Sequence, residues 1–195
     1  MLDTIFEIIF LVGLVIYFFG VYTPHARHYK KQKTITDWYR TRDIVLDFST
    51  YVVWQIIPVV YIFTSWLDFA DYSIPYWTGW IGGFLFVGSL LLLWRAYYDL
   101  GRNWSPTLQI VEEHLLVTKG IYKYLRHPIY AGLFLWGVAQ PLLLHNWIAG
   151  GLLLVFFTVL YVVRVPLEEE MMIQEFGKEY TEYMKKTGGI IPKVK

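Results

Sequence analysis

Residues 147–166 read WIAGGLLLVFFTVLYVVRVP, and no charged side chain interrupts the run before Arg164. A helix needs about 20 predominantly apolar residues to cross the hydrocarbon core of a bilayer, so this stretch supplies one crossing. Working outward, Pro128–Leu144 is a second apolar run, separated from the first only by His145 and Asn146. The two predict a tight hairpin of somewhat short spans. Further runs at Thr4–Tyr22, Ile44–Leu67 and Trp77–Tyr98 bring the set to five. The expected fold class is all-α, a polytopic membrane helix bundle with five transmembrane helices. We expect one membrane domain over 1–195, with the first three spans in 1–94 and a C-terminal core in 95–195.

Composition agrees. Hydrophobic residues make up 56% of the 195, aromatic residues 19%, and mean hydropathy is +0.40. A soluble domain holds about 45–50% apolar residues even when Gly is counted. Charged residues, 17% of the chain, fall between the runs. A net charge of +1 gives no sign of a nucleic-acid partner. The absence of cysteine excludes disulfides, thiolate nucleophiles and Cys-ligated metals. The first span is not expected to be a cleaved signal peptide, because Asp3 and Glu7 replace a basic leader and Val21-Tyr22-Thr23 is a poor cleavage site.

Orientation follows from where Lys and Arg collect. The loop after span one holds Arg27, Lys30, Lys31, Lys33, Arg40 and Arg42, and the segment after span three holds Arg102, Lys119, Lys123 and Arg126. The tail holds Lys178, Lys185, Lys186, Lys193 and Lys195, whereas the turns after spans two and four hold no Lys or Arg. This predicts a multi-pass protein with its N-terminus outside and its C-terminus in the cytoplasm. Trp66, Trp77, Trp80, Trp94, Trp104 and Trp147 suit interfacial anchoring, and Trp54 lies deeper. Over 167–186, Met171, Met172, Phe176, Tyr180 and Tyr183 recur at helical spacing among charges. We expect an amphipathic cytoplasmic helix continuing from span five and ended by Gly188-Gly189.

Two polar constellations meet span ends. In the first, RHPIYAG at 126–132, Pro128 suits the first turn of a helix. His127 then stands at a helix start whose free N–H groups favour an anion, such as the carboxylate of an amino-acid-like cofactor. Tyr130 lies one turn inward, and Gly132 permits close approach of a helix or ligand. The same residues also fit an ordinary helix start at the interface. In the second, Arg164 and Glu168 are four apart and share a helix face. An arginine at the edge of a span is a functional candidate by default, and snorkelling above a solvated acidic run is the plainer alternative. Between them, 109–122 is too polar to span and too apolar to be a free loop, which suits a pocket wall. His25 and His28 lack an obvious carboxylate partner, so no metal is expected, and no phosphate-binding glycine loop is present.

Together, RHPIYAG, the preceding HLLVTKGIY at 114–122 and the following RVPLEEEMMIQEFGKEYTEYMKKTGGIIP at 164–192 resemble the isoprenylcysteine carboxyl methyltransferase family. The phospholipid methyltransferases share much of the same core. The resemblance covers roughly 95–195, and a prokaryotic member is expected. It implies S-adenosylmethionine as cofactor, with S-adenosylhomocysteine as product, in a pocket of the C-terminal half. The implied cofactor contacts are Gln109, His114, Leu115, Leu116, Val117, Tyr122, His127, Pro128, Ile129, Tyr130 and Glu168. Arg164 is the implied substrate-binding residue, and Arg164 and Glu168 the implied catalytic pair. Where the family often has Leu, this chain has Met172, a volume-conserving change. The implied partners are membrane lipids and a lipophilic or lipidated small molecule or peptide entering from the bilayer.

The implied reaction is carboxyl methylation. Methylation of a phospholipid amine is the nearest alternative, and that acceptor would need a base such as His127 or Glu168. A sterol-type membrane reductase using NADPH shares a similar helix start, but 99–127 offers few cations for its phosphate.

Overall fold

The computed structural model describes residues 3–29, 34–38, 40–111 and 115–193. His114 lies outside the described residues, as do Lys30, Lys31, Lys33 and Lys195. The chain is a helical bundle. Helix α1 covers 3–29 with a widened turn at Ile16–Tyr22, and α2 covers Thr41–Phe63. Helix α3 is Trp77–Leu100, α4 is Pro128–Leu144, α5 is Trp147–Phe176 and α6 is Lys178–Lys186. The stretches Ile5–Arg27, Thr41–Phe63, Trp77–Asn103 and Trp147–Phe176 are long and apolar enough to cross a membrane. Their outer faces stay apolar, with Phe84 79% and Val162 62% exposed, as lipid-facing surfaces require.

Helix α4, counted among the five expected spans, is apolar but has only 17 residues, a rise of about 25 Å against a hydrocarbon core of about 30 Å. Just over half of its residues are buried. Trp136 is fully buried and meets Phe10 of α1, Trp54 of α2 and Phe86 of α3 at centroid distances of 6.2, 5.2 and 4.6 Å. Its indole N–H donates to Gln140 Oε1 at 2.9 Å, and Gln140 Nε2 donates to the Ala149 carbonyl at 2.6 Å. A helix apolar on all sides belongs inside, and the buried amide is satisfied across the hairpin.

The hairpin forms as expected. His145 adopts the left-handed conformation (φ 49°), and its N–H returns to the Pro141 carbonyl at 3.1 Å. Asn146 then caps α5, accepting from the N–H groups of Ile148 and Ala149 at 3.0 and 2.8 Å. A Cβ on Gly150 would lie 2.6 Å from Pro141 Cα, a backbone atom that cannot turn aside. Gly150→Ala is therefore expected to cost about 1–3 kcal/mol by overpacking. Gly20→Ala meets nothing within 4 Å and serves as the control. Thermal unfolding in detergent reads the difference.

Two features differ from expectation. The helix predicted over 167–186 is broken at Gly177, whose φ of 55° ends α5 with an N–H to the Ile173 carbonyl at 2.8 Å. The second piece ends at Lys186, the expected end of the helix. Finally, the all-α reading omits a small antiparallel pair, β1 (Thr34–Asp37) with β2 (Gln109–Val111). It ties the loop after α1 to the connector after α3, and Trp38 packs there beside Leu108 and Met171.

Candidate active site

One cavity of about 590 Å³ opens among the helix ends. Gln109, Leu115, Leu116, Val117, Tyr122, His127, Pro128, Ile129, Tyr130, Arg164 and Glu168 all line it. These are the predicted site residues apart from His114, which lies outside the described residues. The cavity extends beyond the C-terminal half, where the cofactor pocket is expected. Tyr17 and Tyr22 of α1 and Asp47, Thr50 and Trp54 of α2 also wall it.

The connector is held by local chemistry. Gly120 has φ +61°, and a Cβ there would fall 2.0 Å from Asp99 Oδ2. The same oxygen accepts from Arg95 Nε at 2.9 Å and from the Ile121 N–H at 2.7 Å. The turn at Gly120–Lys123 carries Tyr122 inward, where its carbonyl accepts from the Tyr183 hydroxyl at 2.6 Å. Burial pushes the Tyr183 phenol above its ordinary range, so it is a fixed donor. Gln109 is already engaged: its Oε1 accepts from the Tyr29 hydroxyl, and its Nε2 donates to Asp37 Oδ2 at 2.9 Å. Its amide thus ties β2 to α1 and β1 at the cavity edge.

At the start of α4, neighbouring carboxylates divide the work. Glu169 Oε1 accepts from Arg126 Nε at 2.9 Å and lies 3.0 Å from His127 Nε2. That geometry places a proton on Nε2, an assignment made from the hydrogen-bond partners. Arg126 also donates to the carbonyls of Met184, at 3.3 Å, and Thr187. The backbone N–H groups of Arg126 and His127 donate to the Gly188 and Gly189 carbonyls at 2.8 and 3.2 Å. Arg126 and Glu169 therefore latch the C-terminal segment across the helix start. Glu168 faces the cavity instead. Its Oε2 accepts from the Tyr130 hydroxyl at 3.1 Å, and its Oε1 stands 3.9 Å from His127 Nδ1.

Arg164 and Glu168 share one face of α5, as their spacing predicts, and both line the cavity. Arg164 is buried, and its guanidinium is already partnered on two nitrogens. Nη1 donates to Asp47 Oδ1 at 2.7 Å and Nη2 to the Pro106 carbonyl at 2.7 Å. Nε is buried with no hydrogen-bond partner among the described residues. Asp47 was missed by the sequence reading. It lies within the stretch assigned to span two, so the rule that singled out Arg164, that ionisable residues inside spans mark function, applied to it equally. Among the described residues, no group of three His, Cys, Asp or Glu side chains could hold a metal.

The cavity thus joins a buried cation, a carboxylate and several hydrogen-bond donors to walls made by long apolar helices. It can hold a polar molecule beside an amphiphile and keep both from water.

The family profile described as the isoprenylcysteine carboxyl methyltransferase (ICMT) family matches residues 81–174. The chain is 35% identical over 112 residues to the Protein-S-isoprenylcysteine O-methyltransferase of Schizosaccharomyces pombe, covering 56% of this chain and 47% of that one. It is 31% identical over 148 residues to the Dictyostelium discoideum enzyme of the same name, covering 73% of this chain and 55% of that one. To Protein-S-isoprenylcysteine O-methyltransferase B of Arabidopsis thaliana it is 28% identical, with 78% of each chain covered. The chain spans about half the length of the first and second of these, 47% and 55%. A solved structure of the eukaryotic intramembrane Ras methyltransferase ICMT superposes with a TM-score of 0.53 at 24% identity. That match covers 79% of this chain and 53% of that one, and it shows a shared fold. These relatives are eukaryotic and give no support to the expected prokaryotic source. None is a phospholipid amine methyltransferase or an NADPH-dependent reductase, so neither alternative gains support.

Proposed function

We propose that this chain is a member of the isoprenylcysteine carboxyl methyltransferase family, whose profile matches residues 81–174, and that it transfers a methyl group from S-adenosylmethionine to the carboxylate of a lipophilic, isoprenylcysteine-like substrate. The observation that carries this reading is convergence. Residues implied by the resemblance, drawn from 109–130 and from 164–168, line one cavity bounded by long apolar helices. A volume of about 590 Å³ suits a small-molecule site. The side chains also suit the two partners, with the Glu168 carboxylate at the wall for a cationic donor and a buried guanidinium N–H left without a partner among the described residues for an anionic acceptor.

Bound there, S-adenosylmethionine supplies a methyl group on a positively charged sulfur. A carboxylate acceptor is ionised at neutral pH, so no side chain need act as a strong base. The chain's own task is positioning, which is worth up to about 7–11 kcal/mol, together with exclusion of water. In this reading Gln109, Leu115–Val117, Tyr122 and His127–Tyr130 surround the donor, with His114 implied beside them. Glu168 takes a hydroxyl or ammonium of the donor, and Arg164 orients the acceptor. The acceptor's tail enters between helices from the bilayer. All five apolar helices, α4 included, cross the membrane. The N-terminus lies outside, and the site and C-terminus are cytoplasmic, as the alternation of Lys and Arg between loops supports.

Calorimetry on the detergent-purified protein tests the donor, and the expected result is binding of S-adenosylhomocysteine. No detectable binding overturns the reading. A transfer assay with a farnesylcysteine analogue against phosphatidylethanolamine tests the acceptor. Methylation of the farnesylcysteine carboxylate alone is expected, and methylation of the lipid amine instead rejects the carboxylate assignment.

A further inference from the structure

The hydroxyl of a threonine or serine inside an apolar helix normally returns to the carbonyl one turn back. Ser49 does so to Val45, Thr64 to Val60 at 2.7 Å and Thr158 to Leu154 at 2.7 Å. Thr50 does not. It is 4% exposed, lines the cavity, and its Oγ1 has no hydrogen-bond partner among the described residues. One turn further along the same face, Trp54 is 9% exposed and its indole N–H is equally unpartnered. The buried indole of Trp136, by contrast, is satisfied by Gln140. One turn in the other direction stands Asp47, which holds the Arg164 guanidinium while its Nε stays unpartnered.

Buried polar groups in a native protein are almost always hydrogen-bonded, and a membrane interior offers no water to take the place of a missing partner. Three such groups in the wall of one cavity, on Thr50, Trp54 and Arg164, call for a ligand rich in acceptors. All can donate, so an oxyanion or amide carbonyl suits them. The face belongs to a helix long and apolar enough to cross the membrane. The residues implied for the water-soluble donor lie mostly in 109–130, outside those long helices. We propose that the Asp47–Thr50–Trp54 face of α2 is the acceptor end of the cavity, where Thr50 and Trp54 donate to the polar head of a lipophilic carboxylate and Asp47 is the positioning residue for Arg164. This rests on the methyl-transfer reading above.

Three variants separate the roles, with kcat and KM measured for an N-acetylated farnesylcysteine and S-adenosylhomocysteine affinity measured by calorimetry. Thr50→Val keeps the shape and removes the hydroxyl. It is expected to raise the acceptor KM about fivefold, the loss of one hydrogen bond, with cofactor affinity unchanged. Asp47→Asn frees the guanidinium to swing. It is expected to lower kcat about tenfold without raising KM, as a lost orientation rather than a lost contact does. Asp47→Glu restores part of that loss. If Asp47→Asn does not fold, Thr50→Val decides alone. Unchanged acceptor kinetics in Thr50→Val, or cofactor affinity falling in step with turnover, overturns the proposal. A wild type that binds S-adenosylhomocysteine but methylates no lipophilic carboxylate overturns the acceptor end only. A wild type that binds none overturns the parent reading.

Discussion

Glu168→Ala is expected to lower the affinity for S-adenosylhomocysteine roughly 30- to 150-fold, the worth of one or more hydrogen bonds to a charged group at about 2–3 kcal/mol. The fold should survive. Among the described residues, Glu168 stands 3.9 Å from His127 Nδ1 and accepts from the Tyr130 hydroxyl at 3.1 Å. The structural pairing falls to Glu169, which holds Arg126 at 2.9 Å and stands 3.0 Å from His127 Nε2. Glu169→Ala should therefore behave oppositely, loosening the C-terminal latch and lowering the unfolding temperature. Glu168→Gln identifies the partner. A hydroxyl on the ligand accepts the exchange with little loss, whereas an ammonium loses nearly as much as with alanine. Calorimetry reads both variants, and Glu168→Ala binding at wild-type strength rejects the assigned role.

The long apolar helices were legible because length and uniformity of apolar runs are properties of the sequence itself. The tight hairpin was legible for the same reason, since only His145 and Asn146 separate two runs. Other features left no trace of that kind. Apolar spacing from Met171 to Tyr183 continues across Gly177, because it reports which residues share a face and is blind to a positive φ between them. The β1–β2 pair joins residues more than 70 positions apart, and each strand alone is too short to signal itself. At the site, the resemblance drew residues from 109–130 and 164–168, and these do line one cavity. It could not reach α1 and α2, whose apolar stretches look alike in any bundle. Asp47 meets Arg164 across 117 positions, so no local pattern could pair them. Its ionisable side chain inside an apolar stretch was the one available sign.

That pairing sets the largest stability effect. Arg164→Ala leaves the Asp47 carboxylate and the Pro106 carbonyl without the donors that now meet each at 2.7 Å. Removing one member of a buried pair typically costs about 3–5 kcal/mol. The Asp47 side chain is 27% exposed, which puts the expected loss at the lower end, about 3 kcal/mol. Methyl transfer should vanish as well. Arg164→Lys separates these effects, because an ammonium keeps the charge but lacks the planar fork that spans Asp47 and Pro106. It should retain most of the stability and lose most of the turnover. The decisive comparison is the double variant Asp47→Leu with Arg164→Met. With neither charge left to bury, apolar side chains of similar size can pack at little or no cost in stability. The double variant should therefore unfold at a temperature near wild type, well above Arg164→Ala, and still methylate nothing. Unfolding in detergent and the transfer assay measure the two quantities on the same samples. A double variant as unstable as Arg164→Ala would mean that the pair is required for folding. One that retained turnover would mean that orientation of the acceptor lies elsewhere in the cavity.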